Sequence, residues 1–247
     1  MVHLPQAPAP SRRERLHEAT RTEIKQIARE LLAAEGTAAL SLRAIARRMG
    51  MTAPGLYRYY PSINDLLTAL TVDSYNDLGD YILAARTAHR NASYADQFLA
   101  IAYAYRAWAL SHKTDYLLIF ANPMPGYEPP PEIIGPASHR TFSPFWGILQ
   151  EAWEAGQLRV PDDAFDPPEP DVQNVANELQ HQLAGWREYG QITLPAATVQ
   201  ALLGGWGKMQ GLVILELFGY LHYVMPEPRM LYEAEMQAGL RHMGLAE

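Results

Sequence analysis

Residues 41–67, SLRAIARRMGMTAPGLYRYYPSINDLL, constrain the fold more tightly than any other stretch of this chain. Leu42, Ile45, Ala46 and Met49 recur at i, i+3, i+4 and i+7, the spacing of one buried helix face. Ser41 stands where an N-cap hydroxyl accepts a hydrogen bond from a free backbone N–H. Gly50 follows, and glycine takes the positive φ that ends a helix at little cost. Thr52 then caps a second helix, with Pro54 in its first turn, where no intrahelical N–H is needed. Pro61 stops that helix, and Ser62 with Asp65 three residues on opens a third. The stretch therefore predicts helices over 41–49 and 52–60, and a longer one from about Asn64.

A short helix, a glycine turn and a second helix form the arrangement that seats the second helix in the DNA major groove. The residues that carry it here are Ala28, Leu31, Gly36, Ser41, Leu42, Ile45, Ala46, Gly50, Met51, Thr52, Pro54, Gly55, Leu56, Tyr57, Tyr60, Pro61, Leu66 and Leu67. Together they resemble the DNA-binding domain of the TetR/AcrR family of bacterial transcriptional regulators. Met51 replaces the usual valine of the family pattern, Thr52 the serine and Tyr60 the phenylalanine. The resemblance spans residues 20–70. Family members often carry a phosphate-holding lysine at the start of the fourth helix. This chain has Ile63, Asn64 and Asp65 there, and Asn64 is the substitute.

Charge is divided in the same sense. The 247 residues carry a net charge of −7, yet residues 1–65 hold ten Lys/Arg against six Asp/Glu, so 10 − 6 = +4. The remaining residues hold ten against twenty-one, so 10 − 21 = −11. A basic head on an acidic body suits a protein that meets a polyanion with one end. The acidic total supports a second reading, a helical small-molecule binding protein whose helix-turn-helix is only structural. The chain has no cysteine, which excludes disulfides and fits a reducing cytoplasm. No apolar run is long enough to span a bilayer, because Glu216 interrupts the richest one.

An all-α chain is predicted, with a flexible arm over residues 1–15, a three-helix DNA-binding domain over 16–66 and a helical ligand-binding and dimerisation bundle over 67–247. The arm ends in Arg12, Arg13 and Arg15, and Thr20 with Glu23 reads as the capping box of the first helix. Further helices are expected over 94–111, 115–120, 138–155, 172–190, 196–224 and 229–243, with loops over 122–136 and 159–170. In the helix opening at Ala196 and expected to reach Val224, Val199, Leu202, Trp206, Met209 and Val213 follow a helical stripe. Gly204, Gly205, Gly207 and Gly211 interrupt it, each at about 0.8–1 kcal/mol relative to alanine. Close approach of another backbone or of a ligand would offset that. The stretch is similar to regulatory domains with a Trp-x-x-x-His-Gly signature, here Trp206, Gln210 and Gly211. The resemblance implies that this helix and the one from Arg229 to Met243 pair with a second subunit, with Leu231, Ala234, Met236, Ala238 and Leu240 supplying apolar surface.

The candidate DNA contacts are Ser41, Arg43, Thr52, Ala53, Pro54, Gly55, Tyr57, Arg58, Tyr59 and Asn64. Ser41 and Arg43 suit phosphate. Small residues at Thr52, Ala53 and Gly55 permit close approach, and Ala53 can meet a thymine methyl. Leu56 and Tyr60 share the inward side, which sends Tyr57 and Tyr59 toward DNA. The resemblance also implies an effector cavity, and Trp108, Phe120, Phe145, Trp146, Trp206 and Gln210 are its candidates for a small apolar or aromatic molecule. No His pair, phosphate loop or nucleophile elbow supports an enzyme, a cofactor or a metal site.

Overall fold

A computed structural model describes residues 11–121, 126–159, 178, 181–184 and 192–245. They form α1 (Arg12–Glu35), α2 (Leu42–Arg48), α3 (Ala53–Tyr57), α4 (Ile63–Ala88), α5 (Tyr94–Ser111), α6 (Lys113–Phe120), α7 (Pro131–Glu154), α8 (Ala196–Leu217) and α9 (Pro228–Met243). Single 3₁₀ turns lie at Thr37–Ala39 and Tyr220–Tyr223. There is no strand among the described residues. The helix expected over 172–190 and the loop over 159–170 lie almost wholly outside them.

The chain divides into two compact units. The first holds the residues up to Ser74 together with Thr114–Ile134, and the second holds Tyr75–Lys113 and the residues from Gly135 onward. This departs from a boundary at residue 66. The segment Thr114–Ile134 joins the first unit because its side chains are committed there. Leu118 and Tyr127 are buried in the same core as Ile24, Ala28, Ile45, Leu56, Leu66 and Leu70. The Tyr127 hydroxyl hydrogen-bonds Thr68 at 3.0 Å. Asp115 accepts from Arg29 Nε at 2.8 Å and from the Ser74 hydroxyl at 2.6 Å. A partly buried carboxylate is tolerated when it is paired and hydrogen-bonded in this way.

In the first unit α1 begins at Arg12, eight residues before Thr20. Two S/T-x-x-E signatures compete here, and the earlier one caps the helix. The Ser11 N–H donates to Glu14 at 2.6 Å and the Glu14 N–H to the Ser11 hydroxyl at 3.2 Å, a reciprocal capping box. Thr20 instead donates its hydroxyl to the Leu16 carbonyl within the helix. Arg12, Arg13 and Arg15 are thus on the first turn of a helix rather than in an arm. Gly50 takes φ 66° and turns the chain from α2 to α3. Ser62 and Asp65 form a second reciprocal box ahead of α4, with bonds of 2.9 and 3.1 Å.

In the second unit, Ile101, Ala102, Tyr105 and Trp108 of α5 are buried together with Ile148, Leu149 and Ala152 of α7, Val199, Met209 and Val213 of α8, and Tyr232, Met236 and Leu240 of α9. The Tyr232 hydroxyl donates to the Ala102 carbonyl at 2.7 Å. Glu216, the residue that breaks the apolar run of α8, is held bidentately by Arg106. Helix α7 starts at Pro131 and carries Pro136 and Pro144 inside it, so residues 131–136 are helix rather than loop. Pro144 lacks an N–H for the Arg140 carbonyl, and the Ser143 hydroxyl donates to that carbonyl at 3.4 Å. At the end of α9, Gly244 has φ 81°, and a Cβ there would lie 1.7 Å from the Arg159 carbonyl oxygen. That backbone contact, with the Arg159 N–H donating to Gly244 at 2.9 Å, excludes any side chain.

Candidate nucleic-acid interface

The two-helix motif is built from its caps outward. The Ser41 hydroxyl accepts the Ala44 N–H at 3.1 Å, and Thr52 Oγ1 accepts the Gly55 N–H at 3.2 Å. Each cap fixes the helix start and leaves the next side chains at set positions. Helix α3 is one turn shorter at its end than the expected 52–60. It stops at Tyr57, and Arg58 and Tyr59 lie in the turn that follows. Leu56 and Tyr60 are inward and fully buried. Gly55 is buried as well, and a Cβ on it would press to 3.1 Å on the Thr52 hydroxyl. Gly55 therefore serves packing beneath the cap more directly than a surface.

Outward of this core stand Ser41, Arg43, Thr52, Pro54, Tyr57, Arg58 and Asn64, all exposed, with Ala53 half-buried. Tyr57 keeps 42% of its surface. Tyr59 departs from expectation. It is half-buried, packed against the core, and its ring stacks on His17 of α1 at 4.7 Å. Shortening of α3 explains this: beyond Tyr57 the chain turns back toward α1, and Arg21 of α1 also covers the Tyr60 ring at 4.9 Å. His17 escapes sequence reasoning that starts the helix at Thr20. The Ser11–Glu14 signature was the signal that reaches it, since a helix begun there puts His17 seven residues before Ile24 on the same side.

The six candidate effector residues separate. Phe120 belongs to the first unit, beside Tyr116 at 4.9 Å, while the other five belong to the second. Trp108 is fully buried, donates its indole N–H to Asp77 at 2.5 Å and stacks on His112 at 5.3 Å. It is a core residue. Trp146 meets His139 edge-on at 5.3 Å. Phe145 and Trp206 are brought together through Phe142, at 6.4 and 6.3 Å, and Gln210 accepts the Tyr105 hydroxyl. Phe142 and Tyr105 are the additional members, each one among many aromatics in the sequence. Trp206 is 42% exposed rather than on the buried stripe. A separate cleft of about 650 Å³ in this unit is polar, lined by Arg86, Arg90, Asn91, Ser93, Glu151 and Gln157 among others, and includes none of the six.

Among the described residues no three His, Asp or Glu side chains are grouped to hold a metal ion, and no helix is long and apolar enough to cross a membrane.

Residues 24–70 match the model of bacterial regulatory proteins of the tetR family, and residues 98–238 match that of the tetracyclin repressor-like C-terminal domain. The chain is 30% identical over 226 residues to the HTH-type transcriptional regulators Mb1846 of Mycobacterium bovis and Rv1816 of Mycobacterium tuberculosis, covering 91% of this chain and 92% of each relative. The crystal structure of the regulatory protein SCO4313 superposes with a TM-score of 0.73 at 31% identity, covering 94% of this chain and all (100%) of that one. RolR, crystallised with resorcinol, shares the fold at a TM-score of 0.51 and 14% identity, over 94% of both chains. The mycobacterial relatives are HTH-type transcriptional regulators, in agreement with the two-helix motif and the helical body built up above. The chain belongs to the tetR family of bacterial regulatory proteins.

Proposed function

We propose that this regulator is a cytoplasmic repressor that binds a pseudo-palindromic operator as a homodimer and is released by a small apolar or aromatic effector. The observation that carries the DNA reading is the outward set of α2 and α3. Tyr57 and Arg58 stand exposed beyond a first turn of Thr52, Ala53 and Pro54, over a core that is closed behind them. Small residues let the backbone approach base edges, and Tyr57 and Arg58 then reach bases or phosphates. Arg43, Ser41 and Asn64 flank this set on the backbone side. Tyr59 supports α3 from behind.

The dimer reading rests on α8 and α9. Leu203, Gly204, Gly207, Gly211, Leu215 and Phe218 are exposed, and a Cβ on any of the three glycines would meet nothing within 4 Å. In a lone subunit these glycines weaken the helix for no return, whereas a second α8 approaching closely uses them. On α9, Met230 and Ala234 are open, while Met236 and Leu240 are core of their own subunit and leave the expected interface. For the effector, Phe145 and Trp206 are joined by Phe142, Gln210 lies one turn beyond Trp206 on α8 and bonds Tyr105, and Trp146 borders Phe145 in sequence. A ligand there acts only by binding one conformation better than another.

Selection of bound duplexes from a random pool by the full chain tests this. An inverted repeat with half-site centres about 34–36 Å apart, or a multiple, is the expected product. Loss of binding on adding resorcinol or a related phenol would support the effector class. No enriched duplex would favour the second reading, a ligand-binding protein with a structural helix-turn-helix.

A further inference from the structure

The proposed DNA grip lacks a lysine at the start of α4, and α1 supplies a cation in its stead. Helix α1 is capped at Ser11 by a closed box, so its first turn has a fixed direction. Ile24, Ala28 and Leu31 mark the side of α1 that faces the core. At 100° per residue, Arg13 and His17 fall on that same side, about three and two turns ahead of Ile24, where the core begins. Rings of the chain leaving α3 lie beside that side there. His17 stacks on Tyr59, and Arg21 lies over Tyr60, so this edge of α1 runs beside the chain leaving α3. Arg13 extends the same edge by one more turn, past the last ring. Its guanidinium is exposed and takes no ion pair or hydrogen bond among the described residues. The neighbouring Glu14 carboxylate is folded back onto the Ser11 N–H and turned away from it.

We infer that Arg13 is a phosphate-binding residue and that α1 is a second DNA-contacting helix, an assignment that rests on the DNA reading above. Base edges are read by the first turn of α3. Arg13 lies beside the opposite, trailing end of that helix, where a groove-seated helix leaves the bases and meets the sugar-phosphate backbone. A guanidinium held on a rigid helix loses less freedom on binding than one on a free arm. Arg15 leaves α1 about 200° further round and points away from α3.

The test uses the full chain and a duplex recovered by it from a random-sequence pool, with binding followed by fluorescence anisotropy between about 50 and 200 mM NaCl. Each phosphate neutralised contributes about 0.9 to the slope of log K against log salt. Arg13→Ala should lower that slope by about 0.9 per subunit, Arg13→Lys should keep it, and Arg15→Ala should leave it unchanged, all with the thermal midpoint of the wild type. An Arg13→Ala slope equal to wild type overturns the inference, as does an equal loss in Arg15→Ala, which would mean diffuse charge rather than a contact. A wild-type chain that recovers no duplex overturns the DNA reading itself, and the two failures are thereby told apart.

Discussion

The outward face of α2 and α3 and the outward stripe of α8 are both left open by the chain, and they are opposites in chemistry. The first carries Arg43, Arg47 and Arg58 among hydroxyls and small residues, with its apolar side chains shut into a core that includes Ile45, Leu56 and Tyr60. The second carries Gly204, Gly207, Gly211, Leu215 and Phe218 along one helical line, and its neighbouring cation, Lys208, is paired with Glu235 at 2.7 Å. A face that is basic and polar suits a polyanion and repels its own copy. An uncharged face with no Cβ in its middle suits its own copy, because a two-fold interface must be complementary to itself. On the proposed reading, the difference is a division of partners between two surfaces, and the exposed apolar residues of α8 belong to the second.

The strongest way to break the comparison is to fill the second surface. Gly207→Leu with Gly211→Leu adds side chains where the lone subunit has open space, so each subunit should fold. Across a close helix contact each inserted chain costs about 1–3 kcal/mol, and symmetry repeats every insertion. Sedimentation should show a monomer. The single change Gly211→Ala gives the sign directly. In a monomer it stabilises by about 0.8–1 kcal/mol through helix propensity, and in a tight dimer it destabilises. A variant that remains dimeric and gains stability would remove α8 as the interface. The next largest effect lies behind the first surface. Leu56→Ala opens a cavity at a fully buried site and should cost about 2–5 kcal/mol in thermal unfolding. A loss below about 1 kcal/mol would mean that the core behind α3 is not closed.

How much of this was legible in the sequence follows the range of the forces involved. The α2–Gly50–α3–Ser62 path is set by caps and one positive φ, all within four residues, and local signals of that kind survive folding. The start of α1 was misplaced because two S/T-x-x-E signatures lie nine residues apart and nothing local ranks them. Residues 131–136 look like loop because proline opposes helix, and the burial of Ile134 and Ala137 on α7 offsets that penalty. Trp206 was assigned inward because α8 is apolar on both sides, and a periodicity of hydrophobicity cannot tell a core face from a partner face. Asp115 binding Arg29 across 86 positions is invisible to any window. The exposure of most of the candidate DNA set follows from caps that lie within a few residues, while the effector set depends on which aromatics meet across the chain, and of its six residues Phe145 and Trp206 are the two joined, through Phe142.

A smaller effect is expected on the first surface itself. Tyr57→Ala removes an exposed ring and hydroxyl without touching the core, so unfolding should not change. Loss of one net hydrogen bond, about 0.5–1.5 kcal/mol, should weaken operator binding by up to about tenfold. Because Tyr57 carries no charge, the salt slope should stay as in wild type, unlike that of Arg13→Ala. Unchanged affinity in a mobility-shift titration would remove Tyr57 from the interface and leave the cations as its only support.

The smallest effect concerns what holds the edge of the first surface. The Ser11 backbone N–H, followed by its hydroxyl, holds the Glu14 carboxyl below the usual carboxylate range. A group lowered in the folded state contributes stability above its unfolded pKa and loses it as pH falls through the folded value. The first turn of α1 should therefore be closed at neutral pH and fray in acid. Protection of the Ser11, Glu14 and Arg15 amides, each taken relative to its intrinsic exchange rate and compared with Ile24, reads this directly. Glu14→Gln should abolish the pH dependence, since the amide no longer titrates. The caps of α2 and α3 are the hydroxyls of Ser41 and Thr52 and have no such dependence, so their first turns serve as internal controls. If the protection of the Ser11, Glu14 and Arg15 amides is the same at neutral and acid pH, the carboxylate does not fix that turn, and Arg13 would reach the backbone from a frayed end rather than from a rigid helix.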